Sequence, residues 1–261
     1  MFITDFKSSP ISLFGVNGGI TSTDSSLGAL VGVEFKASNG GTFALVQVGA
    51  AAIASGLLVQ SPASIGANHT GLTCATAAIG SKTITVTLGG TAVTANQYAG
   101  GYAVVSAGTG IGQTLRIASH PAQSSTSGTV VLTLEDALSV ATSVSDSKVS
   151  LTLPQYGGPN GTNVATHGVV VSPTTATGRT IGATMYPLIA STSTVPAYGF
   201  ICTKGPVAVL NDFGTAIGLD VMPSSSVAGA VVTYAVATRN RVGTSTVAGE
   251  NTKAQLITLQ L

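Results

Sequence analysis

Three glycines in the run Tyr102–Ile117 are superficially similar to a dinucleotide-binding turn. Gly108, Gly110 and Gly112 follow a stretch that is typical of a β-strand. A dinucleotide-binding turn needs the spacing G-x-G-x-x-G and a helix whose N-terminus meets the pyrophosphate. Here the spacing is G-x-G-x-G, and Thr114–Ile117 continues as a strand. The pattern therefore predicts a glycine-rich hairpin or bulge and no bound cofactor.

The three histidines are the next candidates for chemistry, as metal ligands or general bases. His69, His120 and His167 are scattered along the sequence, without the close spacing to cysteines or carboxylates that a metal site shows. His120 precedes Pro121, a pairing that marks the end of a strand. We therefore expect no metal site.

Acid–base or nucleophilic catalysis would need carboxylates or serines in a suitable arrangement. Glu135 and Asp136 are adjacent, so on a strand they would point to opposite faces, which argues against an acid and base pair. No G-x-S-x-G nucleophile elbow occurs, although the abundant serines leave a triad of distant residues open. We expect no catalytic residue and a protein that is not an enzyme.

The elements that would position these residues are β-strands, because apolar and polar residues alternate along much of the chain. In Lys82–Leu88, Ile84, Val86 and Leu88 face one way and the threonines face the other. Threonine and valine both suit a half-buried pleated surface. The same period recurs in Thr129–Leu134, Lys148–Leu153, Gly229–Val236 and Lys253–Leu261. Many short strands separated by glycine and proline turns predict an all-β barrel or sandwich.

The most apolar stretch, Phe43–Val59, is the best candidate for a membrane span. It has 17 residues, contains Gln47 and Ser55, and lacks flanking Lys or Arg. A spanning helix needs about 20 apolar residues and interfacial anchors. We therefore predict a strand at Phe43–Val48, a loop through the alanines and a second strand near Leu57–Val59, with no membrane partner.

Gaps in the charge pattern indicate how the chain divides. No charged side chain occurs between Lys36 and Lys82 or between Lys148 and Arg179. The second gap contains the densest turn signals, at 155–163. We predict a β-barrel domain formed by 15–65 together with 161–261, and an inserted β-rich domain at 66–160. Residues 1–14 would form an N-terminal arm.

The composition restricts the class of function. Charged residues make up 7% of the 261 residues and the formal net charge is +1, whereas typical soluble domains carry roughly 25% charged residues. Nucleic acid is an improbable partner because phosphate binding requires clustered Lys and Arg. A surface with so few charges favours a protein that is buried in an assembly. Four aromatic rings lie within strand patterns, as core residues would: Tyr102, Tyr198, Phe200 and Tyr234.

The N-terminal stretch carries three aromatic rings near a proline. Phe2, Phe6 and Phe14 are candidates for contact with a partner or neighbouring subunit, although the arm could equally fold back on its own domain. The stretch lacks the order of a secretory signal. Cys74 and Cys202 are the only thiols; they could form a single long-range bridge, but we predict two free, buried thiols. Both features suit synthesis and assembly in a reducing cytoplasm.

Residues 97–122 resemble a segment of virion structural proteins of tailed bacteriophages. In that group a strand with two glycines and an aromatic residue leads to a glycine-rich turn, an Arg-Ile strand and a Ser-His-Pro ending. This chain has Gly100–Tyr102, Gly108–Gln113, Arg116–Ile117 and Ser119–Pro121 at those places. Four further stretches fit the same group or are similar to small β-barrel cement proteins of phage heads: Val46–Val59, Lys148–Gly158, Thr177–Pro187 and Tyr198–Leu210.

The resemblance implies a head decoration (cement) protein, bound outside the capsid lattice. Its partners would be the major capsid protein and further copies of itself, with which it would form a homo-oligomer, as a trimer. It would need no cofactor and would stabilise the head by bridging capsid subunits. Two alternatives stay open: a tail, tail-tube or fibre protein, and a surface hydrolase or adhesin that uses Ser and His.

Overall fold

The computed structural model describes residues 23, 25–37, 40–66, 69–124, 127–158, 167–235 and 239–261. Phe2, Phe6 and Phe14, and with them the predicted arm, lie outside these residues. The described chain contains one short 3-10 helix, Ser25–Leu30, and otherwise β-strands and loops. The prediction of an all-β barrel or sandwich fold is confirmed. None of the helices in the described residues is long and apolar enough to cross a membrane.

The described chain contains sixteen strands, which are numbered along the chain. They are β1 (Glu34–Lys36), β2 (Thr42–Val48), β3 (Leu58–Gln60), β4 (Leu72–Thr73), β5 (Thr83–Thr87), β6 (Tyr102–Ala107), β7 (Thr114–Ser119), β8 (Thr129–Leu134), β9 (Lys148–Thr152), β10 (Val170–Val171), β11 (Thr180–Ala183), β12 (Ala197–Leu210), β13 (Asp220–Pro223), β14 (Val231–Thr233), β15 (Gly243–Ser245) and β16 (Ala254–Gln260).

The larger sheet has ten strands, and its long central strand β12 holds two groups of strands together. The main order is β10-β3-β11-β12-β16-β15-β13-β14, with β2 and β1 joined to β12 off this path. The first half of β12, from Ala197, pairs with β2, and the second half, to Leu210, pairs with β16. The sheet forms a half-barrel. The predicted strand–loop–strand in Phe43–Val59 is confirmed as β2 and β3.

The smaller sheet has six strands in the order β4-β9-β6-β7-β8-β5. An isolated bridge between Cys74 and Val86 brings the two ends of this order together, so the sheet forms a nearly closed barrel. The alternation predicted for Lys82–Leu88 is confirmed, since Ile84 and Val86 are buried in the barrel core while the threonines are not. Both cysteines are free and buried, as predicted. Burial raises the pKa of the Cys202 thiol to about 11.

Three details of the strand prediction are wrong. The strand predicted at Gly229–Val236 is shorter, since β14 is the strand that forms within its described residues, 229–235. Two of the four rings assigned to the core are at the surface, since Tyr102 is 44% exposed and Tyr234 is 42% exposed. Tyr102 faces outward because the alternate positions Ala103 and Val105 face the barrel core.

Two glycines of the β6–β7 connection both have positive φ but differ in how closely other atoms approach them, so their substitution separates these two reasons for a glycine. Gly108 has φ +74° and Gly112 has φ +92°, a backbone region that residues other than glycine rarely adopt. A Cβ on Gly108 would lie 2.2 Å from the Asp146 carbonyl oxygen, whereas a Cβ on Gly112 would meet nothing within 4 Å. We expect Gly112→Ala to lower the free energy of unfolding by about 1 kcal/mol, from backbone conformation alone.

We expect Gly108→Ala to cost about 3 kcal/mol or more, because the backbone around Asp146 must also shift. Urea denaturation of both variants measures the two costs. Equal costs would contradict the assigned close approach at Gly108.

Candidate interaction surface

The three histidines, although scattered along the sequence, come close together in the structure. His69 lies in the segment before β4, His120 directly follows β7, and His167 lies shortly before β10. All three are buried; His69 and His120 lie against the equally buried ring of Tyr98, and His167 Nε2 lies 3.5 Å from Thr94 Oγ1. The ring centroids of Tyr98 and His69 are 5.5 Å apart, and those of Tyr98 and His120 are 5.9 Å apart. The cluster therefore joins the smaller barrel to the chain segments that lead into and out of it.

Hydrogen bonds fix two of these imidazoles in defined neutral tautomers. His69 Nε2 lies 2.9 Å from the Thr91 carbonyl oxygen, so it donates, and its Nδ1 contacts the Tyr98 hydroxyl as the acceptor. His120 Nδ1 donates to the Pro121 carbonyl oxygen at 2.9 Å, and its Nε2 accepts from the Tyr98 backbone N–H at 3.0 Å. A proton added to His120 Nε2 would therefore face another donor.

Burial lowers the pKa of all three histidines and brings that of His167 to about 4. The histidines also lower one another's pKa, since His69 acts on His120 and His120 acts on His167. Within the described residues no group of histidines, cysteines and carboxylates could hold a metal ion. The cluster is thus suited to holding the barrel in place with neutral, hydrogen-bonded rings.

The structure also places the remaining sequence candidates that lie within the described residues. Gly108, Gly110 and Gly112 form the connection between the antiparallel strands β6 and β7, which confirms the predicted hairpin. Strand β7 ends at Ser119, directly before His120, as predicted. The premise for Glu135 and Asp136 is wrong, because β8 ends at Leu134 and both lie in the bend that follows.

An exposed apolar surface, here called the barrel tip, lies at one end of the smaller barrel. It consists of Ile79, Ile111, Val140 and Val144, which come from the loops 74–82, 108–113 and 135–147. Ile79 is 69% exposed and Ile111 is 66% exposed. Isolated exposed apolar residues are ordinary, but several on adjoining loops are typical of an interaction site.

Polar side chains hold these loops in place. Gln113 Oε1 accepts hydrogen bonds from the backbone N–H groups of Ser139 and Val140, each at 3.0 Å. Asp146 Oδ2 accepts from both the backbone and the hydroxyl of Thr109, again at 3.0 Å. The loops are therefore pre-organised by internal bonds, which lowers the entropy lost on binding.

A second exposed apolar surface, here called the Phe213 surface, lies on the larger sheet. It consists of Phe213, Ile217, Leu219 and Val247, from the loops 211–219 and 246–253. Phe213 is 71% exposed and Ile217 is 67% exposed. The two loops pair through their backbones, since Thr215 and Gly249 exchange hydrogen bonds at 3.2 and 2.7 Å.

The backbone at Phe213 is held in a conformation that costs energy. Its φ is +78°, which bulky side chains rarely adopt, and Gly214 follows at φ +68°. The Phe213 N–H donates to Asn251 Oδ1 at 3.0 Å, which ties this turn to the neighbouring loop. Strain of this kind costs on the order of 1–3 kcal/mol and is concentrated at functional positions. Here the strained turn holds an aromatic ring in solvent.

Sequence reasoning did not single out either surface. The signal for the second was an aromatic residue within a turn, since Phe213 lies between Asp212 and Gly214. The exposed apolar side chains of both surfaces are suited to contact with the apolar face of another protein. Comparison of the chain with protein-family models, with curated proteins and with solved structures finds no match.

Proposed function

We propose that this protein is a bacteriophage capsid decoration protein that binds the outer surface of the assembled head and bridges neighbouring capsid subunits. The observation that carries the proposal is the pair of exposed apolar surfaces, the barrel tip and the Phe213 surface, one on each sheet. A bridging protein needs two such surfaces. The low charge content and the resemblance of residues 97–122 to phage virion proteins support the same function.

The energetics of such a role are favourable. A specific interface buries about 1,200–2,000 Å² in total, and apolar burial stabilises by about 25 cal/mol per Å² before the cost of association is subtracted. A homo-oligomer that contacts several capsid subunits gains avidity even where each contact is weak. Because it binds only the assembled lattice, it stabilises that lattice against opening by mass action. Contacts across the seams would then oppose the outward push of packaged DNA.

The short terminal strands of the larger sheet favour this role over that of a tail-tube subunit. Tube subunits would extend a continuous sheet from one copy to the next, whereas β10 has two residues and β14 has three. Short terminal strands offer few backbone groups for such pairing. Apolar loop surfaces are instead suited to docking by side chains.

The copy number in purified particles tests the proposal. We expect mass spectrometry to find this chain at a copy number comparable to that of the major capsid protein, because decoration proteins occupy a repeated lattice position. A few copies per particle, or rings and tubes of the isolated protein in negative stain, would instead indicate a tail or fibre protein. Turnover of a small ester or glycoside by the purified protein would indicate the hydrolase alternative.

A further inference from the structure

The arginines of the chain are concentrated in one place. The sequence has four arginines, and three of them, Arg179, Arg239 and Arg241, line a single cleft on the larger sheet. The fourth, Arg116, is on β7 of the smaller barrel. In a chain with 7% charged residues, this grouping concentrates positive charge at one surface. The cleft has a volume of about 370 Å³, within the range of small-ligand sites.

One of the three arginines, Arg241, is already ion-paired within the protein and is held in a fixed position at the side of the cleft. Arg241 Nε lies 3.0 Å from Asp220 Oδ1, and Arg241 Nη2 donates to Thr244 Oγ1 and Gln260 Oε1 at 2.8 and 2.9 Å. These bonds use its charge and most of its donors within the protein. Arg241 therefore fixes the position of Gln260 in the cleft, and we assign the attraction of an anion to the other two arginines.

The positive charges of the other two arginines, Arg179 and Arg239, are not compensated by an ion pair among the described residues. Arg239 donates from Nη1 to the Pro173 carbonyl oxygen at 3.1 Å and from Nη2 to the Thr174 carbonyl oxygen. These acceptors orient the guanidinium without neutralising it. None of the ion pairs in the described part of the chain includes Arg179 or Arg239.

The backbone of Arg179 is anchored although its side chain is exposed. The Arg179 N–H donates to Ser61 Oγ at 3.0 Å, and the Ser61 N–H donates to the Arg179 carbonyl oxygen at 2.8 Å. Two guanidinium groups thus project from fixed backbone positions at one cleft. Further polar groups line it, namely Ser172, Thr180, Asn240 and Gln260.

We propose that this cleft is an oxyanion-binding site, which takes a ligand or a side chain bearing phosphate or clustered carboxylate groups. Guanidinium forks match both groups through paired, charge-assisted hydrogen bonds. Arg179 and Arg239 supply the charge, and the hydroxyl and amide groups of the lining supply further donors. Two positive charges and a volume larger than one phosphate fit a ligand with two or more negative charges. The residues that line the cleft belong to neither apolar surface, and the proposal does not depend on the proposed function.

Isothermal titration calorimetry with inorganic pyrophosphate, citrate and a hexaglutamate peptide tests the site. In low salt we expect saturable binding of at least one of them, with a Kd of about 1 mM or tighter, which addition of NaCl weakens. Pyrophosphate alone would indicate a phosphate ligand; citrate or hexaglutamate alone would indicate a carboxylate ligand. Absence of saturable binding by all three would overturn the proposal.

Charge-removing variants locate the binding. We expect Arg179→Gln and Arg239→Gln each to raise the Kd by about tenfold, because each removes a charge-assisted contact. Arg116→Gln is the matched control, since it removes an equal charge outside the cleft and should leave the Kd unchanged. If Arg239→Gln disturbs folding, Arg179→Gln suffices, because its backbone bonds to Ser61 do not involve the side chain. An equal loss of affinity in Arg116→Gln would show non-specific attraction and overturn the assignment.

Discussion

Lowering the pH from about 7 to about 5 will decrease the free energy of unfolding by about 2 kcal/mol through His167 alone. The folded-state pKa of His167 is about 4, whereas the ordinary value is 6.5. Below pH 6.5 the unfolded chain therefore binds a proton that the folded chain does not. Stability is fully present above the unfolded pKa and is lost as the pH falls toward the folded pKa. His69 and His120 shift in the same direction and add to the loss.

Urea denaturation at intervals between about pH 7.5 and pH 5 measures this slope, in a range where most carboxylates remain ionised. His167→Gln cannot be protonated, so we expect it to flatten the slope relative to the wild type, whatever its stability at pH 7. A wild-type stability that is constant over this range would contradict the assignment. So would a His167→Gln variant that keeps the full wild-type slope.

The strands were predictable because their signal is local. The alternation in Lys82–Leu88 places apolar residues on the buried face and threonines on the other, and this run forms β5. Lys253–Leu261 forms β16, in which Ile257 and Leu259 are buried on one face together with Gln255. The hairpin at Gly108–Gly112 was predictable for the same reason, since its spacing excluded a dinucleotide turn. The alternation of residue types does not by itself predict which face of a strand is buried. Tyr102 was assigned to the core, and the structure places the smaller Ala103 there.

The arginine cleft and the buried histidine cluster were not predictable, because each is assembled from segments that are distant in the sequence. Arg179 and Arg239 meet across one cleft only after β11 and the segment before β15 are placed in the same sheet. His69 and His120 meet only because the barrel brings the ends of its strands to Tyr98. No window of sequence contains such a contact.

Replacing Phe213 by glycine will separate stability from binding. Glycine adopts φ +78° without strain, and the ring it removes is 71% exposed, so little packing is lost. We expect the free energy of unfolding of Phe213→Gly to equal or exceed that of the wild type. If the ring is an anchor for the capsid, the same variant should bind undecorated heads about 30-fold more weakly, as loss of a buried aromatic anchor costs about 2 kcal/mol or more.

Co-sedimentation with undecorated heads measures the affinity, and urea denaturation measures the stability. Val131→Asp is the matched control, because Val131 is an exposed apolar residue on β8 that belongs to neither the barrel tip nor the Phe213 surface. It should sediment with heads as the wild type does. Full binding by Phe213→Gly would remove the Phe213 surface as a capsid contact, and lower stability would contradict the strain assigned to its backbone. Weaker binding combined with undiminished stability is the result that only a functional role for the exposed ring explains, because a merely structural residue would lose both together.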